Sequence, residues 1–272
     1  MLHMLKVLHK TFDPSTLETL GQMIAQAQKN AQLETDFEIS NQQAAIAVTL
    51  YDNRQIILKG ETYFLRIPKI IHYGQTYQFM ERALGKHFND LPEETLEELA
   101  YKKSLATVYL AFELALILSG SRFDSDRHGA QCRIVDRDIY LFDWGGMALV
   151  PPSPEEKHQL GDTFFDVLLA VQSGNPLDEA FINAVQGRAN AGENVDYLLS
   201  VQKALLSLED FRHYLTSPEL MGILGVLMNR AIDPEIANAF FQKAFAMGLS
   251  MEQLQETLSQ YGGLDIAIRR RR

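Results

Sequence analysis

Ser125-Asp126-Arg127-His128-Gly129-Ala130-Gln131 and, a little further on, Ile139-Tyr140-Leu141-Phe142-Asp143-Trp144-Gly145 carry two carboxylates and one side-chain amide at set offsets: Asp126, Gln131 and Asp143. Hard cations such as Mg²⁺ take oxygen ligands of this kind. Cys132-Arg133-Ile134-Val135 and Ile139-Tyr140-Leu141-Phe142 are β-prone runs on either side of Asp136-Arg137-Asp138, which predicts a hairpin. The outer ends of a hairpin lie side by side. Strand pairing alone therefore brings Gln131 and Asp143 together.

An Asp-x-His-x-x-amide run, followed after a short hairpin by a hydrophobic residue and Asp143-Trp144-Gly145, resembles the catalytic and metal loops of three groups of atypical kinases. These are the aminoglycoside/choline-kinase-like phosphotransferases, the UbiB/AarF kinases and the phosphoinositide lipid kinases. The Asp-Trp-Gly turn leans toward the first group and Asp126-Arg127-His128 toward the last. The resemblance implies an α+β, protein-kinase-like two-lobed fold with a reduced or divergent N-lobe and a helical C-lobe. It also implies ATP and Mg²⁺ as cofactors. Asp126 would align an acceptor hydroxyl, and Gln131 and Asp143 would hold the metal. Gln131 departs from the usual Asn by one methylene. Arg127 and His128 are expected to brace the loop, His128 beneath the metal turn, with Trp144 packed behind it.

Arg66-Ile67-Pro68-Lys69-Ile70-Ile71-His72-Tyr73-Gly74 and Tyr77-Gln78-Phe79-Met80-Glu81-Arg82-Ala83-Leu84-Gly85 are similar to the strand pair and interlobe hinge of these kinases, which implies that Met80, Glu81 and Arg82 meet adenine. The N-terminal part is less regular, and no Gly-rich phosphate loop is visible before residue 60. One layout takes Met4–Leu8 as the strand bearing the phosphate-contacting Lys6, with Glu38 as its partner in a Glu-x-x-Asn helix. Another takes Arg54–Lys59 and Thr62–Arg66 as a hairpin around Gly60, with Lys59 or Lys69 contacting phosphate.

The 272 residues, 46% of them hydrophobic, can bury a sizeable core as one two-lobed catalytic unit or as two small domains. The net charge of −10 argues against nucleic-acid binding by the body of the protein, since phosphate backbones need clustered Lys and Arg. A single cysteine, Cys132, excludes an internal disulfide framework and a Cys-based zinc site, and the seven His lack ligand spacing. No long uncharged apolar run or signal segment is visible, so no transmembrane segment and a cytoplasmic location are expected. Arg269-Arg270-Arg271-Arg272 reads as a solvated tail or as a patch for anionic lipid or acidic partners.

Residues 1–85 are assigned to the N-lobe and hinge, 86–190 to the catalytic core and 191–272 to a helical extension. Leu91-Pro92-Glu93-Glu94 opens a helix that runs through Leu105, Val108, Phe112, Leu116 and Ile117 toward the catalytic loop. After Pro151-Pro152, Ser153-Pro154-Glu155-Glu156 starts another. Asp162 or Asp166 then anchors the loop by resemblance, or Asp162 caps a helix. Gly187–Asn194 reads as a linker, followed by helices over 195–208, 218–231, 234–247 and 250–261. Leu220, Ile223, Leu224 and Leu227 form a core face or a protein-binding face. The functional expectation is Mg-ATP-dependent phosphotransfer to a hydroxyl of a small molecule, lipid or protein. The alternative is a pseudokinase that senses nucleotide or binds a protein, favoured by Gln131 and the missing Gly-rich loop.

Overall fold

The computed structural model describes residues 37–74, 77–230, 232–260 and 265–270. Helix α1 (Phe37–Tyr51) leads into a hairpin of β1 (Arg54–Leu58) and β2 (Glu61–Arg66). Its turn places Lys59 at φ 52° and Gly60 at φ 81°, the left-handed pair that a two-residue hairpin loop requires, and Leu58 pairs with Glu61. Ile56, Leu58, Tyr63 and Leu65 alternate inward along the two strands.

A second hairpin, β3 (Ile70–Gly74) and β4 (Tyr77–Met80), forms a separate two-stranded sheet. The short β5 (Lys86–His87) then returns the chain to the main sheet. Helix α2 (Leu96–Leu118) begins at a capping box in which Thr95 and Glu98 satisfy each other's backbone N–H groups. Every residue of Leu105–Leu118 is buried, as befits a helix that is apolar on nearly all sides and runs through the centre of a domain.

The expected hairpin around Asp136 is present as β6 (Cys132–Val135) and β7 (Asp138–Leu141), with Asp136 at φ 50° in the turn. Helices α3 (Pro154–Gln172), α4 (Leu177–Asn190), α5 (Asp196–Ser207), α6 (Glu209–Arg212), α7 (Ser217–Arg230), α8 (Pro234–Ala246) and α9 (Met251–Gln260) follow, and strand β8 (Ile266–Arg270) completes the described chain. Residues 187–190, expected in a linker, are the last turn of α4. Leu220, Ile223, Leu224 and Leu227 are buried in the core.

The main sheet has the order β5-β6-β7-β2-β1-β8, antiparallel except for the parallel β2–β7 pair. Strands from all three assigned sequence segments share it, so the protein is a mixed α/β structure with a mixed sheet. Of the four arginines expected in a solvated tail, Arg269 and Arg270 belong to a strand, and Arg271 and Arg272 lie outside the described residues. Ile266–Arg270 is an edge strand paired residue for residue with Arg54–Leu58, and the buried Ile266 holds it against the core. Among the described residues no helix is long and apolar enough to cross a membrane.

Candidate functional site

The chain leaves α2 through Phe123 and Asp124 and is zipped at once to the segment that follows the hairpin. Asp124 bridges Met147, Ser125 N–H donates to Gly146 O at 3.0 Å, and Ala148 N–H to Phe123 O at 3.1 Å. Gly146 is required by this approach. A Cβ there would lie 2.2 Å from Asp124 Oδ1 and 2.7 Å from Asp126 Cβ. Within the loop, Asp126 N–H donates to Asp124 Oδ1 at 2.9 Å, a local turn that points the Asp126 side chain outward, where it pairs with Lys203 Nζ of α5 at 3.0 Å.

Arg127 braces the loop. Its side chain is 1% exposed, lies 3.0 Å from the equally buried Asp124 carboxylate, donates to Phe142 O at 2.6 Å and stacks 3.7 Å from the Trp144 ring. One guanidinium thus ties the catalytic-type loop to the Asp143 turn by charge, by hydrogen bond and by its face. His128 precedes the short 3₁₀ turn Gly129–Gln131 and accepts the Gln131 N–H at its carbonyl, 3.0 Å away. Trp144 is buried, as expected, and packs on Tyr51 of α1 at 5.0 Å.

The hairpin brings Gln131 and Asp143 together. Phe142 N–H donates to Gln131 O at 3.2 Å, and Gln131 Nε2 donates to Asp143 Oδ2 at 3.4 Å. Gln131 is buried, and its carbonyl Oε1 has no hydrogen-bond partner, an arrangement that costs free energy unless something else accepts the role. Asp143 is exposed and sits at φ 62°, a left-handed conformation that Asp tolerates better than most residues. Burial chiefly raises the Asp124 carboxyl pKa, Arg127 opposes the rise, and the charges of Asp126 and Asp143 add to it, so all three carboxylates lie within one electrostatic neighbourhood. Among the described residues no cluster of three or more His, Cys, Asp or Glu is poised to hold a metal. The oxygen donors here are two carboxylates and the orphaned Gln131 carbonyl, a set suited to Mg²⁺.

Helix α1 packs against this turn. Gln43 Nε2 donates to both Gly145 O and Met147 O at 3.1 Å. Between α1, the Asp143–Gly145 turn and the β3–β4 hairpin lies a cavity of ≈ 280 Å³ lined by Asp143 and Met80 among others. It shares Ala44, Ile67, Pro68 and Ile70 with a neighbouring cavity of ≈ 970 Å³ that Glu38 and Lys69 also line. The larger volume lies within, and the smaller just below, the range of about 300–1,000 Å³ typical of small-molecule sites.

Met80 therefore reaches the cavity that holds Asp143, whereas Glu81 and Arg82 lie outside its lining and are exposed. Glu81 is tied by backbone to Lys69, its N–H donating to Lys69 O at 2.8 Å. Lys59 occupies the β1–β2 turn, where its N–H donates to Asp265 O, at the opposite end of β2 from Ile67 and Pro68 of the cavity. Lys6 lies outside the described residues.

Asp162 and Asp166 do not anchor the loop. They pair with Arg188 and, for Asp166, with Lys243, tying α3 to α4 and α8. The anchor is Asp210 of α6, whose Oδ2 accepts Gly129 N–H at 2.8 Å and the Asn89 amide at 3.0 Å.

A second group that the motifs do not reveal is Glu113, buried in the middle of α2 and accepting the Tyr51 hydroxyl at 2.8 Å. Burial pushes its carboxyl up to about 7, with the Arg127 charge and the tyrosine hydrogen bonds acting in the other direction. A lone carboxylate inside an apolar helical run was the available signal. No protein-family model, curated protein or solved structure matches the chain.

Proposed function

We propose that the chain is a kinase-like phosphotransferase that uses Mg²⁺ and ATP to phosphorylate a hydroxyl group. The observation that carries this reading is the buried, unpartnered Gln131 Oε1 beside the exposed Asp143 carboxylate, with Asp126 on the adjoining braced loop. Gln131 and Asp143 would hold the metal. Bound Mg²⁺ supplies charge neutralisation for the phosphates. Asp126, fixed by its backbone bond to Asp124, orients the acceptor hydroxyl and takes its proton. Met80 and the apolar wall of the ≈ 280 Å³ cavity would meet the adenine. In this reading α1 and the β1–β2 hairpin are a reduced small lobe, joined through the parallel β2–β7 pair to the loop hairpin, and α2 to α9 are the helical lobe. Lys69 is the phosphate-contacting candidate within the described residues, because it lines the adjoining cavity together with Glu38.

A pseudokinase is the second reading, favoured by the 3.0 Å ion pair between Lys203 and Asp126, which occupies the carboxylate needed by the acceptor. The two separate with one substitution. In the phosphotransferase reading, Asp126→Ala retains Mg-dependent ATP binding by calorimetry and loses transfer by about 10²–10⁴-fold over a panel of hydroxyl acceptors. Mg-dependent binding with no transfer by either protein selects the pseudokinase. Absence of Mg-dependent ATP binding to the wild type defeats the phosphotransferase and the nucleotide-sensing pseudokinase alike, leaving only a protein-binding module.

A further inference from the structure

A third cavity, of ≈ 330 Å³, lies on the far side of the Asp143 turn and is lined by Ser121, Arg122, Ser125, Gly146, Tyr197 and Ser200, with Asp196, Glu156 and apolar residues completing it. The adjacent glycines of the turn serve different spaces. Gly145 lines the cavity that holds Asp143, and Gly146 lines this one. Gly146 also abuts Asp126, since a Cβ there would meet Asp126 Cβ and N.

Helix α5 runs from the cavity to the same carboxylate. Tyr197, Ser200 and Lys203 recur at three-residue spacing on one helix face, the first two lining the cavity and Lys203 holding Asp126 at 3.0 Å. The cavity is thus adjacent to the group assigned to the acceptor hydroxyl.

Its lining is polar, and two of its groups are unsatisfied. Among the described residues, Arg122 Nε and the Tyr197 hydroxyl are both shut off from solvent without a hydrogen-bond partner, and no carboxylate lies within ion-pair distance of Arg122. Glu156 is already engaged in capping α3, its Oε2 accepting Ser153 N–H at 2.7 Å. The Arg122 guanidinium is the group here that can pair with a carboxylate or phosphate; the serine hydroxyls of Ser121, Ser125 and Ser200 already bond Ser119, Gly146 O and Asp196 O.

We propose that this cavity is the acceptor pocket, and that the acceptor is a small hydroxylated molecule whose anionic group is held by Arg122 while its hydroxyl reaches Asp126. The inference rests on the phosphotransferase reading above, but its anion-binding part is measured without nucleotide. Inorganic phosphate is titrated by calorimetry, free of Mg²⁺ and ATP, into wild type, Arg122→Gln and the cavity-filling Ser200→Trp. Affinity weakened at least tenfold in both variants is expected. Equal phosphate affinity in wild type and Arg122→Gln overturns the pocket and leaves the Mg-ATP site intact.

Transfer is then compared among glycerol, glycerate and glycerol phosphate. Anionic acceptors should be preferred, glycerate and glycerol phosphate separating a carboxylate from a phosphate requirement. Arg122→Gln should raise KM for the anionic acceptor tenfold or more with KM for Mg-ATP unchanged. Preference for glycerol overturns the proposal. Failure of Mg-ATP to bind the wild type, with phosphate binding intact, overturns the acceptor role and the phosphotransferase reading together while leaving an anion site.

Discussion

Asp126 and Arg127 are joined by one peptide bond, yet the first is half exposed and the second almost wholly enclosed. The difference comes from what each group can find inside. The Arg127 guanidinium meets Asp124, the Phe142 carbonyl and the Trp144 face at once, which opposes the cost of taking a charge out of water although Nε and Nη2 lack hydrogen-bond partners among the described residues. The interior place beside Arg127 is already held by Asp124, so an inward Asp126 would set a second negative charge next to it. The loop is thereby divided into a braced inner strip and an exposed outer one. Substitutions in the two should fail differently, the inner by unfolding and the outer by loss of ligand chemistry.

The sharpest way to break that contrast is Arg127→Ala, which leaves Asp124 buried without a counter-charge. A loss of about 3–5 kcal/mol in chemical denaturation is expected, and a well-folded variant of near wild-type stability would mean the brace is redundant.

Glu113 tests the same inner strip through pH. Its carboxyl is raised from 4.5 to about 7 in the folded protein. The folded state therefore holds the proton more tightly, and the associated stability is complete below pH ~4.5 and lost as pH rises to about 7, on the order of 3 kcal/mol in all. Glu113→Gln should flatten that fall when unfolding is followed across the window. An unchanged slope would remove Glu113 as its source.

On the outer strip, Asp143→Asn should weaken Mg-dependent ATP binding about a hundredfold, or ~2.7 kcal/mol, with stability within about 0.5 kcal/mol of wild type. Calorimetry and denaturation on one sample read both. The smallest effect is expected for Gln131→Asn, which keeps a carbonyl ligand and should stay within a few-fold of wild type in a Mg²⁺ titration of ATP binding. Gln131→Leu, lacking the oxygen, should be clearly worse. Identical behaviour of both would make Gln131 a loop residue only.

Local signals made the loop hairpin legible, since β-prone runs flank a turn centred on Asp136, and the same holds for the β1–β2 hairpin at Lys59-Gly60. Helix α2 and the last helices were readable from capping residues and apolar spacing. Long-range partners were not. Asp210 reaches the loop from 81 residues away, and nothing in its own neighbourhood marks it. The hinge-like segment was read correctly as strands, but its pairing into a separate sheet depends on which edge is free to accept it. Strand β8 was obscured by its arginines, which suggest a solvated tail. An edge strand tolerates such charge because one of its sides faces water.

That last strand also shapes how the molecule assembles. Arg54 and Arg270 are paired across roughly 200 residues of intervening chain, a span whose closure carries a slowly growing entropic cost and which places this contact among the most non-local in the fold. The β1–β2 hairpin can form early from neighbours, but its outer edge waits for β8. During that interval β1 presents unpaired backbone N–H and C=O groups to any other extended chain. Arginine side chains on the arriving strand make self-association between copies of that strand unfavourable through like-charge repulsion. Charge at this edge thus acts on the route to the fold as well as on the finished surface.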